Sequence, residues 1–302
     1  MTTKRKFSVE ETATGHPPLE NAAILETTPE KLFTLHYPVI APLIMCSGVG
    51  DGKTTACVMS QAATIDALRR GKTLDAPTDR MECACPLLRH MAISANDACW
   101  WKDDAERTEF LRPLIPLLLD SRVSNEAGWR RRWMLVDNVV RVLTPMRLEW
   151  IAQNSNSDKV EAMVAEGVNQ LRNLNPVTDR DSAVVARNLC RDLRSAASAA
   201  SADSADSAAY AAYTAYAAYT AYAAYAASAD SAAYADSAAS ADYAAYADSA
   251  ASADYAASAA SADYADYADY AAYADSVQKQ QRKYRNSFLK LFRDIAAVRG
   301  IQ

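Results

Sequence analysis

The chain has 302 residues and a formal charge of −5, with half of its side chains apolar and 23% charged. That length suits two domains on the usual size scale. No stretch approaches the roughly 20 apolar residues that a spanning helix needs, and Met1–Glu20 lacks the apolar core of a secretory signal, so a cytoplasmic protein is expected.

In chain order, residues 1–27 mix charge and Thr around the breaker cluster Gly15-His16-Pro17-Pro18 and read as a flexible arm. Thr28-Pro29-Glu30 is a helix start, with Thr as cap and Pro in the first turn. From Tyr37 to Cys46, Pro38 and Pro42 argue against a long regular element. Cys57, Val58, Ala62, Ile65 and Leu68 recur at threes and fours, which predicts a helix over 54–70 ending at Gly71. Further helices are expected over 86–99, over 103–119 with Pro113 and Pro116 disturbing it, over 129–151 with a kink at Pro145, and over 157–174. After the break at Asn175–Asp179, a last helix opens at Asp181 and runs into the segment beyond. No alternating strand pattern competes with these elements.

From Ala196 to Ser276 the word Ala-(Ala/Asp)-(Tyr/Ser) repeats 27 times in one register, with Thr214 and Thr220 standing for the first Ala. The segment holds 11 Asp, no Lys or Arg, and 14 of the 16 tyrosines. Ala favours an α-helix, in which the third position moves by about 60° per word, so no lasting apolar face forms. A 3₁₀-helix or a triplet-register solenoid would keep that position on one edge and is the alternative. Rings and carboxylates at fixed spacing make an adhesive surface. Its expected partner-binding residues are Tyr210, Tyr213, Tyr216, Tyr219, Tyr222 and Tyr225, with Asp263, Asp266 and Asp269 in the acid-dense end. The partner is a protein or a second copy; mimicry of a nucleic-acid backbone is a further alternative.

The charge is therefore partitioned. Residues 1–195 carry 25 acidic and 25 basic side chains, and residues 277–302 carry seven basic ones against Asp294. Phe288, Leu289, Leu291, Phe292, Ile295 and Val298 make the tail a basic amphipathic helix. It is expected to cap the head or the end of the repeat, and it is the one place where nucleic acid would be contacted.

Ser47-Gly48-Val49-Gly50-Asp51-Gly52-Lys53-Thr54-Thr55 ends like a phosphate-binding loop, with Ser47 where the opening Gly belongs. A nucleotide-hydrolase alternative would use Gly50, Gly52, Lys53 and Thr54, with Asp137 holding Mg²⁺. Cys83, Cys85, His90 and Cys99 depart from metal-ligand spacing, and the cysteines read as core or reduced thiols. Asp97, Asp103, Asp104 and Glu106 read as helix-end charges. No catalytic set, metal or cofactor is implied.

Several words recur in order: Cys57-Val58-Met59-Ser60, Gly71 with Asp75-Ala76-Pro77, Cys85-Pro86-Leu87-Leu88 and Asn96-Asp97. Leu114-Ile115-Pro116-Leu117-Leu118, Val136-Asp137-Asn138-Val139-Val140-Arg141 and Val177-Thr178-Asp179 complete the series. Over roughly residues 50–276 this order resembles a loosely defined bacterial and phage-associated family of helical proteins ending in Ala-rich repeats. The resemblance implies helices of one domain and no particular activity.

The expectation is an all-α protein: an arm (1–27), a helical head (28–195), a triplet-repeat rod (196–276) and a basic C-terminal helix (277–302). Its expected role is non-enzymatic, as an interaction or scaffold protein.

Overall fold

The computed structural model describes residues 28–74, 76–98, 101–153, 158–201 and 267–298. The arm and most of the triplet segment, including Tyr210–Tyr225, Asp263 and Asp266, lie outside these residues. The described residues are mostly helical, with no strand among them, so the fold is all-α. The chain divides into two compact units, 1–122 and 123–302.

The first unit is built around a helix buried almost all the way round. Helix α1 (Pro29–Ile40) starts at Thr28, whose hydroxyl accepts from the Lys31 amide at 3.4 Å. It continues through Pro38 to Ile40, past the point where the prolines of 37–46 suggested a break. Helix α2 (Val58–Arg69) buries every residue from Val58 to Ala63, then Ile65, Asp66 and Ala67. Most of these residues are apolar, the buried Ser60, Gln61 and Asp66 excepted, and the small Ala residues let α1 and α3 (Pro86–Asp97) pack against the helix. It starts four residues later than its periodicity suggested. The reason is that Thr54 and Ala56 pair with Ile44, whose amide donates to Thr54 O and whose carbonyl accepts from Ala56 N, each at 3.0 Å. It stops at Gly71, which adopts φ 65°.

Helix α4 (Asp104–Leu111) passes into a 3₁₀ turn, Arg112–Leu114, and then α5 (Ile115–Leu118). Pro113 and Pro116 account for this broken course, since each removes an amide from the helical ladder. The end of α2 is held by charge. Asp66, 1% exposed, lies between Arg69 at 2.7 Å and Arg70, and Arg69 forks onto Asp120.

In the second unit, α6 (Asn125–Asn138) opens at Ser124, whose hydroxyl accepts from Ala127 N at 3.4 Å. A π-turn, Val139–Leu143, joins it to α7 (Thr144–Gln153). The wide turn takes up Pro145, which has no amide to donate to residue 141, and Thr144 Oγ1 bonds Val139 O at 2.8 Å. Helix α8 (Asp158–Arg172) packs on α7, and α9 (Arg180–Ser201) packs on α8. Val164, Val168 and Leu171 on α8 and Ala183, Ala186 and Cys190 on α9 keep helical spacing and share a core with Val136, Val140 and Leu148.

Helix α10 (Tyr267–Ala297) packs on α6. Where the structure describes triplet words, at residues 196–201 in α9 and 267–276 in α10, they are α-helical.

Candidate functional site

The glycine-rich loop folds on its own carboxylate. Gly48, Gly50 and Gly52 have φ of 70°, 79° and 72°, a left-handed conformation that glycine adopts at little cost. These turns wrap the chain around Asp51. Its Oδ1 accepts from the amides of Lys53 and Thr54 at 2.9 Å and of Thr55 at 2.8 Å, and its Oδ2 from the Thr54 hydroxyl at 2.9 Å. These amides are the donors that would cradle a phosphate. Hydrogen bonds from the Thr55, Lys53 and Thr54 amides hold the Asp51 carboxyl well below the usual carboxylate range.

The loop is also tied from outside by α3. Asp97 Oδ1 accepts from Gly48 N at 2.8 Å and from the Ser47 hydroxyl at 3.3 Å. Asn96 donates to Cys46 O at 2.7 Å and accepts from Val58 N at 3.3 Å.

No strand precedes the loop among the described residues, and α2 opens only at Val58, capped by the Cys57 sulfur at 3.3 Å from Ser60 N. Asp137 lies within α6, where it accepts from Val177 N at 2.8 Å and pairs with Arg141 at 3.2 Å. Gly50, Gly52, Lys53 and Thr54 are thus neighbours in one rigid turn, whereas Asp137 belongs to the other unit and anchors the 173–179 break. Sequence reasoning missed Asp51; its signal was the pattern Asp-x-x-Thr-Thr, a carboxylate placed to cap the amides that follow it.

The remaining polar clusters have structural uses. Asp103 caps α4 by accepting from Glu106 N at 2.8 Å, Glu106 accepts from Lys102 N at 2.9 Å, and Asp104 pairs with Arg107. Burial pushes the thiols of Cys57 and Cys83 up and that of Cys190 up to about 12, so all three are protonated at neutral pH. Cys46, Cys57, Cys83, Cys85 and Cys190 are free thiols. Among the described residues no group of His, Cys, Asp or Glu is arranged to hold a metal ion. A groove of about 640 Å³ between α1 and α4 is lined by Phe33, Tyr37, Ile44, Thr108 and Arg112. Two of its polar side chains are engaged: Thr108 Oγ1 accepts from Met45 N at 2.7 Å, and Arg112 bonds the Leu43 carbonyl and lies 5.8 Å from the Tyr37 ring centre.

The C-terminal helix is the feature that bears on the triplet segment. On α10, Gln280, Tyr284, Phe288, Leu291, Phe292 and Ile295 are buried at the spacing of one helical face. Each apolar burial stabilises by about 2 kcal/mol relative to exposure. Gln280 Nε2 donates to Met146 O at 3.1 Å and Tyr284 to Leu143 O at 3.4 Å. Arg131 of α6, 1% exposed, donates through Nε to Val298 O at 3.0 Å and through Nη2 to Ala296 O at 3.3 Å. A buried guanidinium thereby meets the negative end of the α10 dipole. Sequence reasoning missed Arg131. Its signal was its place with Ala127 and Leu135, one helical turn to either side, both buried. Of the expected partner-binding residues, Asp269 falls in the first turn of α10 and the rest lie outside the described residues.

Compared with protein-family models, curated proteins and solved structures, the chain matches none. No helix of the described residues is long and apolar enough to cross a membrane.

Proposed function

We propose that this is a non-enzymatic interaction protein whose second unit serves as the base for a repetitive acidic and aromatic surface. The observation that carries the reading is how the triplet segment is held. Its first words, to Ser201, belong to α9, and its last, from Tyr267, belong to α10; both helices are in the same unit. The segment departs from a packed base and returns to one, so its 14 tyrosines and 11 aspartates are attached at both ends. Regular rings with a polar tip suit contact with protein surfaces. In the glycine-rich loop the amides of Lys53, Thr54 and Thr55 are engaged by Asp51, which supports this reading over the nucleotide-binding alternative. Free thiols at five described positions fit a reducing compartment such as the cytoplasm.

The test compares the full chain with a variant in which every Tyr from 210 to 264 is Ser. Sedimentation velocity is expected to show association by the wild type that the variant loses, with the thermal midpoint unchanged. Equal association by the two proteins would overturn the reading.

A further inference from the structure

Helix α10 has two opposed sides. Gln280, Tyr284, Phe288, Leu291, Phe292 and Ile295 are buried, whereas Lys279, Arg282, Lys283, Asn286, Lys290 and Arg293 are exposed. At 100° per residue the exposed six fall within about 100° of arc, and Lys279 to Arg293 spans about 21 Å. They form a ridge. Lys279 and Asn286 are its crest, Arg282 and Arg293 lie on one flank, and Lys283 and Lys290 lie on the other. Asp294 is the single acid in residues 277–302, and it pairs with Lys290 at 2.6 Å. Arg282, Lys283 and Arg293 form no ion pair among the described residues.

We propose that this ridge binds the phosphate backbone of a DNA duplex, lying along the major groove. The surface is separate from the triplet segment and gives the protein a second kind of partner. Charge complementarity points to a polyanion, and what the ridge lacks narrows the choice. A helix that binds a membrane surface buries its apolar side in the headgroup region, and that side of α10 is packed inside the second unit. A protein interface is centred on apolar or aromatic residues, and none is exposed on the ridge. An unpaired strand is held by bases stacked on aromatic rings, which the ridge also lacks. A duplex backbone asks only for cations.

Shape separates DNA from RNA. An α-helix is about 10–12 Å across and the B-form major groove about 12 Å wide, whereas the A-form major groove is too narrow to admit side chains. With the crest in the groove, the two flanks face the phosphates of its two walls. At about 3.4 Å per base pair the row covers about six pairs. The Asp-bearing words that precede Val277 in the sequence end the contact on one side. Phosphate contacts carry no sequence information, so affinity should not depend on base order.

The experiment is fluorescence anisotropy of a labelled DNA duplex of about 20 base pairs, titrated with the full chain at about 0.05 M salt. Duplexes of two unrelated sequences should bind equally, within about twofold. With three to five phosphates neutralised, log K should fall with log salt at a slope between about −2.7 and −4.5. Arg282→Glu with Lys283→Glu, and separately Lys290→Glu with Arg293→Glu, should each weaken binding at least tenfold. Circular dichroism melts check that both variants are folded. Arg282→Lys with Arg293→Lys should keep most of the affinity, because a point charge still serves a phosphate.

No binding at low salt, or binding that either charge reversal leaves intact, overturns the proposal. Tighter binding of an unpaired strand or of an RNA duplex does the same. So does a chain that ignores the DNA duplex but is captured by phosphatidylcholine–phosphatidylserine vesicles.

Discussion

The loop at 47–55 is the part of the molecule where single residues decide most. A Cβ on Gly50 would overlap the carbonyl of Thr55, which is backbone and cannot move aside, and it would do so at φ 79°. A Cβ on Gly48 meets nothing within 4 Å. Gly48→Ala is therefore expected to cost only the left-handed backbone penalty, about 1 kcal/mol. Gly50→Ala should lower the urea midpoint far more, and equal midpoints would refute the contrast. Asp51 supplies a second prediction. Its folded carboxyl titrates below its unfolded value of about 4, so its stabilisation is present above pH 4 and is lost as pH falls through the folded value. Thermal midpoints of wild type and Asp51→Asn should differ at pH 6 and converge in acid. A gap that widens as pH falls would show that another group governs the acid limb.

Helices whose apolar residues kept their spacing were legible in the sequence, as were the Thr28 start, the Gly71 stop and the break at 175–179. What escaped was set by tertiary pairing. The early boundary expected for α2 failed because Ile44, distant in sequence, claims the backbone of Thr54 and Ala56. The Gly-Lys-Thr ending of the loop says nothing about which acceptor its amides will find, and here Asp51 is already in place. Arg131 escaped for the opposite reason: a run of three arginines reads as a solvated face, yet the middle one is buried against α10. Arg131→Ala would leave the Ala296 and Val298 carbonyls without this donor. Bonds to a charged group are worth about 1.5–3 kcal/mol each, so a loss of about 3 kcal/mol is expected in urea unfolding. Arg131→Lys should recover only part of it, since one ammonium does not reproduce the fork. A loss below 1 kcal/mol for Arg131→Ala would mean the α10 end is held by its apolar face alone.

Across the whole chain, the partition into a neutral head, an acidic middle and a basic end takes on a different meaning once the units are known. The second unit contains the acidic segment, the basic helix and α6–α9 together, and carries 21 acidic and 18 basic side chains. Most of the segment's charge is thus balanced by the unit that holds its ends. The basic helix is part of that base, tied to α6 by Arg131 and by a buried row of Tyr284, Phe288, Leu291, Phe292 and Ile295. This arrangement makes a prediction about continuity. If α10 is held by packing, and not merely by being the end of the same chain, an engineered protease site at residue 240 should be cleavable without releasing the C-terminal piece. After cleavage the two fragments are expected to co-elute in size-exclusion chromatography and to melt as one unit. The same cut in Arg131→Ala should let them separate at a lower denaturant concentration than in wild type. Fragments that part immediately on cleavage in the wild-type background would show that the covalent link had held α10 in place. The triplet segment would then be attached to a packed base at one end only.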